Sequence, residues 1–226
     1  SGYSDIAIGT SKLFGIELLS NFNYPYFSKN IAEFWKRWHI SLTSWFREYL
    51  YIPLGGSRGS TWFSLRNIFI VFIVSGLWHG ANLTFIFWGF WHACLYVPYL
   101  LLKKSENKYS FFSSNKLLFK LKSGVQMGFT FLLVVISWIF FRSETISKAF
   151  QYINNMIFEI DFPNLHRSNI KYVIILLVCD WLLRKDERQV LQIKSKLIRW
   201  ACYLILTWFV LAHFQLNPSS FIYFQF

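Results

Sequence analysis

Thirty-five consecutive residues, Ile68 to Leu102, carry no Asp, Glu, Lys or Arg and read IFIVFIVSGLWHGANLTFIFWGFWHACLYVPYLLL. A bilayer core about 30 Å thick is crossed by roughly 20 helical residues, so the run is too long for one ordinary span. It predicts two helical segments meeting near Gly80. Three further apolar runs predict spans, at 125–141, 169–183 and 200–214. Between them lie two basic segments, one from Lys103 to Lys122 with six lysines and one glutamate, the other RKDERQVLQIKSKLIR. Basic loops beside spans face the cytoplasm, which sets Ser143–Arg167 and the tail QLNPSSFIYFQF on the outer side. A short amphipathic helix is expected around Ala149–Phe158, and the Ser/Lys/Asn-rich patch near residue 110 reads as flexible.

The first third of the chain has a different pattern. Residues 1–22 predict a moderately apolar helix with polar entries at Asp5, Ser11 and Lys12. NYPYFS, residues 23–28, is a turn signal around Pro25. From Asn30 to Leu50 the residues Phe34, Trp38, Leu42, Trp45 and Tyr49 recur at helical spacing, with Lys36, Arg37, Ser41, Ser44, Arg47 and Glu48 mostly opposite. Pro53, Gly55 and Gly56 end this helix. So charged a segment cannot span lipid; it lies at the interface or inside a protein-lined cavity.

Composition agrees with a membrane protein: 54% hydrophobic, 22% aromatic and 15% charged, against about 25% charged in soluble domains. The net charge of +12 is then explained by loops facing anionic lipid. No basic stripe interleaved with stacking aromatics supports a nucleic-acid partner. Cys94, Cys179 and Cys202 have no CxxC spacing and read as small buried hydrophobes. The fold class expected is all-α, a polytopic integral membrane protein, with residues 1–226 as a single membrane domain. Residues 29–56 would be its charged amphipathic or re-entrant segment, and residues 68–102 the helices carrying the candidate catalytic histidine.

That candidate is His79. A neutral imidazole in an apolar interior can take the proton of an acceptor hydroxyl as its oxygen attacks an acyl carbon. Asn82, one turn on, could hold the ring or donate to the developing oxyanion. The plain alternative is a histidine hydrogen-bonded between helices; Gly76 and Gly80, which permit close approach, weigh against it. Ser75, four residues earlier, has no carboxylate in the same run and no GxSxG elbow, so it reads as bonding back to a helix carbonyl. His39, in FWKRWHISL, is either an interfacial histidine or a second functional one. Arg37, Arg47 and Glu48 could meet phosphate or carboxylate groups of a donor, or form a solvated face. His92, His166 and His213 have no partners at metal-ligand spacing, and structural roles are expected; no metal site is predicted.

Three ordered passages, SGYSDIAIG, NFNYPYFSKNIAEFWKRWHISLTSWFREYLYIPLGG and SGLWHGANLTFIFWG, resemble the membrane-bound O-acyltransferase family. The likeness is to the branch of alginate O-acetylation membrane proteins and the D-alanine transfer protein of teichoic acid synthesis. FFRSETISKAFQYINNM and FIYFQF also look like that branch. The resemblance implies that the chain corresponds to the C-terminal half of the family architecture, with the N-terminal helices missing. It implies a ring of helices around a central funnel, where a cytoplasmic acyl donor meets an acceptor reached from outside. It implies that His79 of GLWHG is the essential catalytic residue and that His39 of RWHxSL is a second one lining the same tunnel. The expected activity is transfer of a small acyl group, acetyl, to hydroxyls of an exported or cell-envelope polysaccharide, directly or through a partner extracytoplasmic acyltransferase. Acetyl-CoA or another acyl donor is the implied co-substrate, none being tightly bound, and the implied place is the bacterial plasma membrane, multi-pass and in contact with lipid. D-alanyl transfer to teichoic acid is the alternative within the family. A non-enzymatic carrier of acyl groups or lipid-linked substrate is the alternative outside it.

Overall fold

The computed structural model describes residues 2–106, 116–159, 170–183 and 195–212. The described residues are helical without strands: α1 (Gly2–Leu13), α2 (Ile31–Arg37), α3 (Ile40–Phe46), α4 (Thr61–His79), α5 (Leu83–Glu106), α6 (Lys116–Arg142), α7 (Ile146–Phe158), α8 (Ile170–Leu183) and α9 (Lys196–Ala212). One compact unit covers Ser1–Asn169, and a second covers Ile170–Phe226.

In the first unit, three helices are long and apolar enough to cross a membrane: Thr61–His79, Leu83–Leu102 and Leu121–Arg142. The first two form the expected pair broken near Gly80. Gly80 caps α4 at φ 152°, a backbone conformation that L side chains rarely adopt. Antiparallel α4 and α5 then touch main chain to main chain at two points. A Cβ on Gly76 would fall 3.0 Å from the carbonyl carbon of Phe85 and 3.4 Å from the Cα of Ile86. One on Gly89 would fall 2.9 Å from the carbonyl carbon of Phe72 and 3.3 Å from the Cα of Ile73. Small residues at a crossing let apolar helices approach this closely.

The loop after α3 is anchored to α4 by Asn67, which is fully buried. Its Nδ2 donates to the carbonyls of Leu54 (3.1 Å) and Gly56 (2.9 Å), while its Oδ1 accepts from the Arg66 guanidinium. An amide inside an apolar helix is thereby satisfied.

Several expectations are corrected. Residues 1–22 are not one helix: α1 stops at Leu13, followed by Gly15 at φ 74°. The stretch 30–50 is not one continuous amphipathic helix either. α2 ends at Arg37, Trp38 is extended, and His39 sits left-handed at φ 45°, ψ 55° before α3 begins. Trp45 and Tyr49, assigned to the apolar stripe, are exposed. The basic segment 103–122 is helical at both ends, since α5 runs to Glu106 and α6 starts at Lys116; lysine and leucine are good helix formers, and no Gly or Pro interrupts there. Of the cysteines expected to be buried, Cys94 and Cys202 are half-buried and Cys179 is exposed.

The second unit holds α8 and α9, the expected fourth and fifth spans, with 14 and 17 helical residues. These are the lengths within the described residues, against roughly 20 residues for a full crossing. The patch near residue 110, His166, His213 and the terminal FIYFQF lie outside the described residues.

Candidate active site around His79

His79 ends α4, and its ring stands in an aromatic chamber. Trp78 (4.9 Å, 79°), Phe141 (4.9 Å, 82°) and Trp88 (5.3 Å, 88°) meet it edge-on, and Phe85 lies 6.2 Å away. Phe85 and Trp88 come from α5 and Phe141 from α6, so the chamber is closed by the α4–α5 contact at Gly76 and Gly89. The ring is half-buried.

His39 reaches this region from a different part of the chain. The break that carries it is held by the loop before α2. The Asn21 carbonyl accepts from the Ile40 N–H (2.9 Å), and the Asn21 Oδ1 accepts from the Ser41 N–H and hydroxyl (both 3.0 Å). The Asn23 N–H donates to the Arg37 carbonyl at 2.9 Å. A non-glycine residue at positive φ costs of order 1–3 kcal/mol and persists only where surrounding bonds over-determine it. The two imidazoles, forty positions apart in sequence, are near enough to interact electrostatically. Nδ1 of His39 is buried and has no hydrogen-bond partner. Burial holds the His39 pKa below the usual imidazole value.

Asn82 does not hold the His79 ring. Its Nδ2 donates to the Glu144 carbonyl at 3.0 Å, and its Oδ1 accepts from the Thr84 N–H at 3.1 Å. It thus caps α5 and ties the α4–α5 turn to the α6–α7 turn. Ser75 is buried on the wall of a separate cavity.

His92 takes the structural role expected of it, through a network that its sequence surroundings gave no means of finding. Nδ1 accepts from the Trp35 indole at 3.3 Å and Nε2 pairs with the Ser137 hydroxyl at 3.0 Å. Ser137 itself donates to the Val134 carbonyl at 2.6 Å. With the indole donating to Nδ1, only a ring carrying its proton on Nε2 satisfies every bond, so His92 has no free nitrogen for chemistry. This network joins α2, α5 and α6 beneath the chamber, since Trp88 packs on both His79 and His92 (4.9 Å).

The cavity holding Ser75 has a volume of about 350 Å³. Trp35, Tyr51, Phe72 and Tyr96 line it, with Lys36 and Arg47 as its cations. Arg37 instead pairs with Glu33 at 2.6 Å. Among the described residues no group of three or more His, Cys, Asp or Glu side chains is placed to hold a metal.

A sequence profile described as the membrane-bound O-acyltransferase family matches residues 1–116, which include both histidines and the whole chamber except Phe141. The chain belongs to that family. Among individual O-acyltransferases, it is 46% identical over 151 residues to the Probable alginate O-acetylase of Pseudomonas aeruginosa, covering 67% of this chain and 27% of that relative. It is 38% identical over 157 residues to the Peptidoglycan O-acetyltransferase of Helicobacter pylori, covering 70% and 28%. With the Teichoic acid D-alanyltransferase of Bacillus subtilis it shares 38% identity over 123 residues, covering 51% and 31%. The chain spans little more than a quarter of the length of the alginate and peptidoglycan O-acetylating relatives. Family membership and three apolar helices make it a membrane protein, and the family's chemistry requires an acyl donor as co-substrate.

Proposed function

We propose that this chain carries the catalytic histidines of a membrane O-acyltransferase that moves a small acyl group, acetyl, from a donor such as acetyl-CoA to a hydroxyl of an exported or cell-envelope polysaccharide. The observation that carries the reading is the convergence of His79 and His39, in a region with no Lys, Arg, Asp or Glu between Ile68 and Leu102. His79 removes the proton of the acceptor hydroxyl while its oxygen attacks the acyl carbon. The new C–O bond forms, the donor's C–S bond breaks, and the departing thiolate takes the proton back from the imidazolium. His39 assists from the strained break between α2 and α3. Arg47 and Lys36 offer charge to a donor bearing phosphate, and the cavity they line offers room for its arm. Asn82 is left out of the chemistry, because both ends of its amide are engaged elsewhere.

The relatives that acetylate alginate and peptidoglycan support acetyl transfer and a bacterial plasma membrane, crossed several times. The acyl group passes to the polysaccharide directly or by way of a separate extracytoplasmic acyltransferase. D-alanyl transfer is the second reading, favoured by the likeness to the teichoic acid enzyme over half of the chain. The test is acetyl incorporation into envelope polysaccharide with His79→Ala at equal membrane abundance. Loss of a hundredfold or more is expected; unchanged acetylation removes the proposed role.

A further inference from the structure

Two polar side chains of α5 are buried without a hydrogen-bond partner, the Trp88 indole N–H and the Thr84 hydroxyl. Trp88 is 4% exposed and Thr84 1%. Four residues apart, they lie on one face of the helix. An orphaned buried donor costs about 1–3 kcal/mol, and in a folded protein it calls for an account. The polar groups around it are committed elsewhere: both His92 nitrogens are paired with Trp35 and Ser137, and Asn82 is bonded to Glu144 and Thr84 backbone. The Trp88 ring is one wall of the His79 chamber, perpendicular to the imidazole at 5.3 Å and against Phe141 at 5.4 Å.

Acyl transfer needs a hydrogen-bond donor close to the base, and Trp88 stands beside His79. As the hydroxyl oxygen attacks, the carbonyl electron pair moves onto oxygen, and that charge requires a fixed N–H or O–H in a dry site. We propose that the Trp88 indole N–H receives the carbonyl oxygen of the acyl group during attack, with the Thr84 hydroxyl as a second donor, so that the site takes a small acyl thioester. When the tetrahedral centre collapses, the carbonyl re-forms, the thiolate leaves and the oxygen releases the indole. This role rests on the reading of His79 as the base. It assigns to Trp88 the oxyanion function that position alone suggested for Asn82.

The test replaces Trp88 with β-(3-benzothienyl)alanine, which keeps the bicyclic shape and puts sulfur in place of N–H. Initial rates are measured in membranes carrying the native protein, with labelled acetyl-CoA as the probe and polysaccharide acetylation as the readout. The expected result is a kcat lowered 10²–10³-fold, with KM for acetyl-CoA within twofold of the unmodified protein. A kcat within twofold overturns the proposal, as does a loss confined to KM. If the analogue protein does not accumulate, Thr84→Val serves: kcat should fall at least fivefold at constant KM, and an unchanged kcat is contrary. His79→Ala in the same membranes separates the two claims. Transfer lost there but intact in the Trp88 analogue sinks the donor and spares the base; transfer surviving His79→Ala sinks both.

Discussion

Gly76→Ala perturbs the site without touching a reacting group. The added Cβ would lie 3.0 Å from the Phe85 carbonyl carbon, and nearer still to its oxygen, where ordinary contact begins at 3.4 Å. The obstacle is backbone and cannot swing aside, so α4 and α5 must part by about half an ångström or more. Overpacking of this kind costs about 1–3 kcal/mol, offset in part by about 1 kcal/mol from the better helix propensity of alanine. The net effect on stability is thus small to moderate, up to about 2 kcal/mol by the same figures. The larger effect falls on His79, one turn away, because its walls Phe85 and Trp88 ride on the displaced helix. A misplacement approaching 1 Å can cost about 10²-fold in rate, so acetylation should fall by one to two orders of magnitude. Gly124→Ala is the control, since nothing lies within 4 Å of a Cβ there. The assay pairs acetyl incorporation with thermal unfolding in detergent. Wild-type activity together with an unchanged or raised Tm for Gly76→Ala would refute the main-chain contact and its part in placing His79.

Asn67→Ala removes the buried amide that donates to the Leu54 and Gly56 carbonyls, so unfolding should become easier by about 1–3 kcal/mol, read as a lowered Tm; an unchanged Tm would contradict the anchoring role. Burial depresses the His39 pKa below 6.5, so the folded protein takes up this proton only at lower pH than a free imidazole would. The neutral ring is therefore kept throughout the range above 6.5. As pH falls below 6.5 an unfolded chain binds the proton first and the fold loses relative stability. An acid limb of kcat assigned to His39, by its displacement in His39→Asn, should accordingly fall below pH 6.5, and a limb above 7 would contradict it.

The sequence told most where local chemistry decides the structure. An uncharged run too long for one span, with glycines on either side of His79, was enough to place the α4–α5 hairpin. The turn at Pro25 and the amphipathic helix ending at Phe158 were equally legible. His39 was found as a candidate, but its setting was not. The apolar spacing runs straight through Trp38, and the break depends on bonds to Asn21 and Asn23, outside the periodic segment. The Trp35–His92–Ser137 chain was hidden because its members are 45 and 57 positions from His92 and sit among apolar neighbours. Asn82 is the converse case, with its side chain bonded to the Glu144 carbonyl and the Thr84 N–H. Its spacing from His79 suggested partnership, whereas a residue just past a helix break is often needed as a cap. The orphan donors on α5 could not be read at all, since lacking a partner is a property of packing.

Because the arms of the α4–α5 hairpin meet through bare main chain at Gly76 and Gly89, nothing fits between them at those two levels. An approach to His79 must therefore run along the flank of this seam. Substituents that widen or choke that flank should alter which acceptors gain entry, while leaving His79 and His39 themselves untouched.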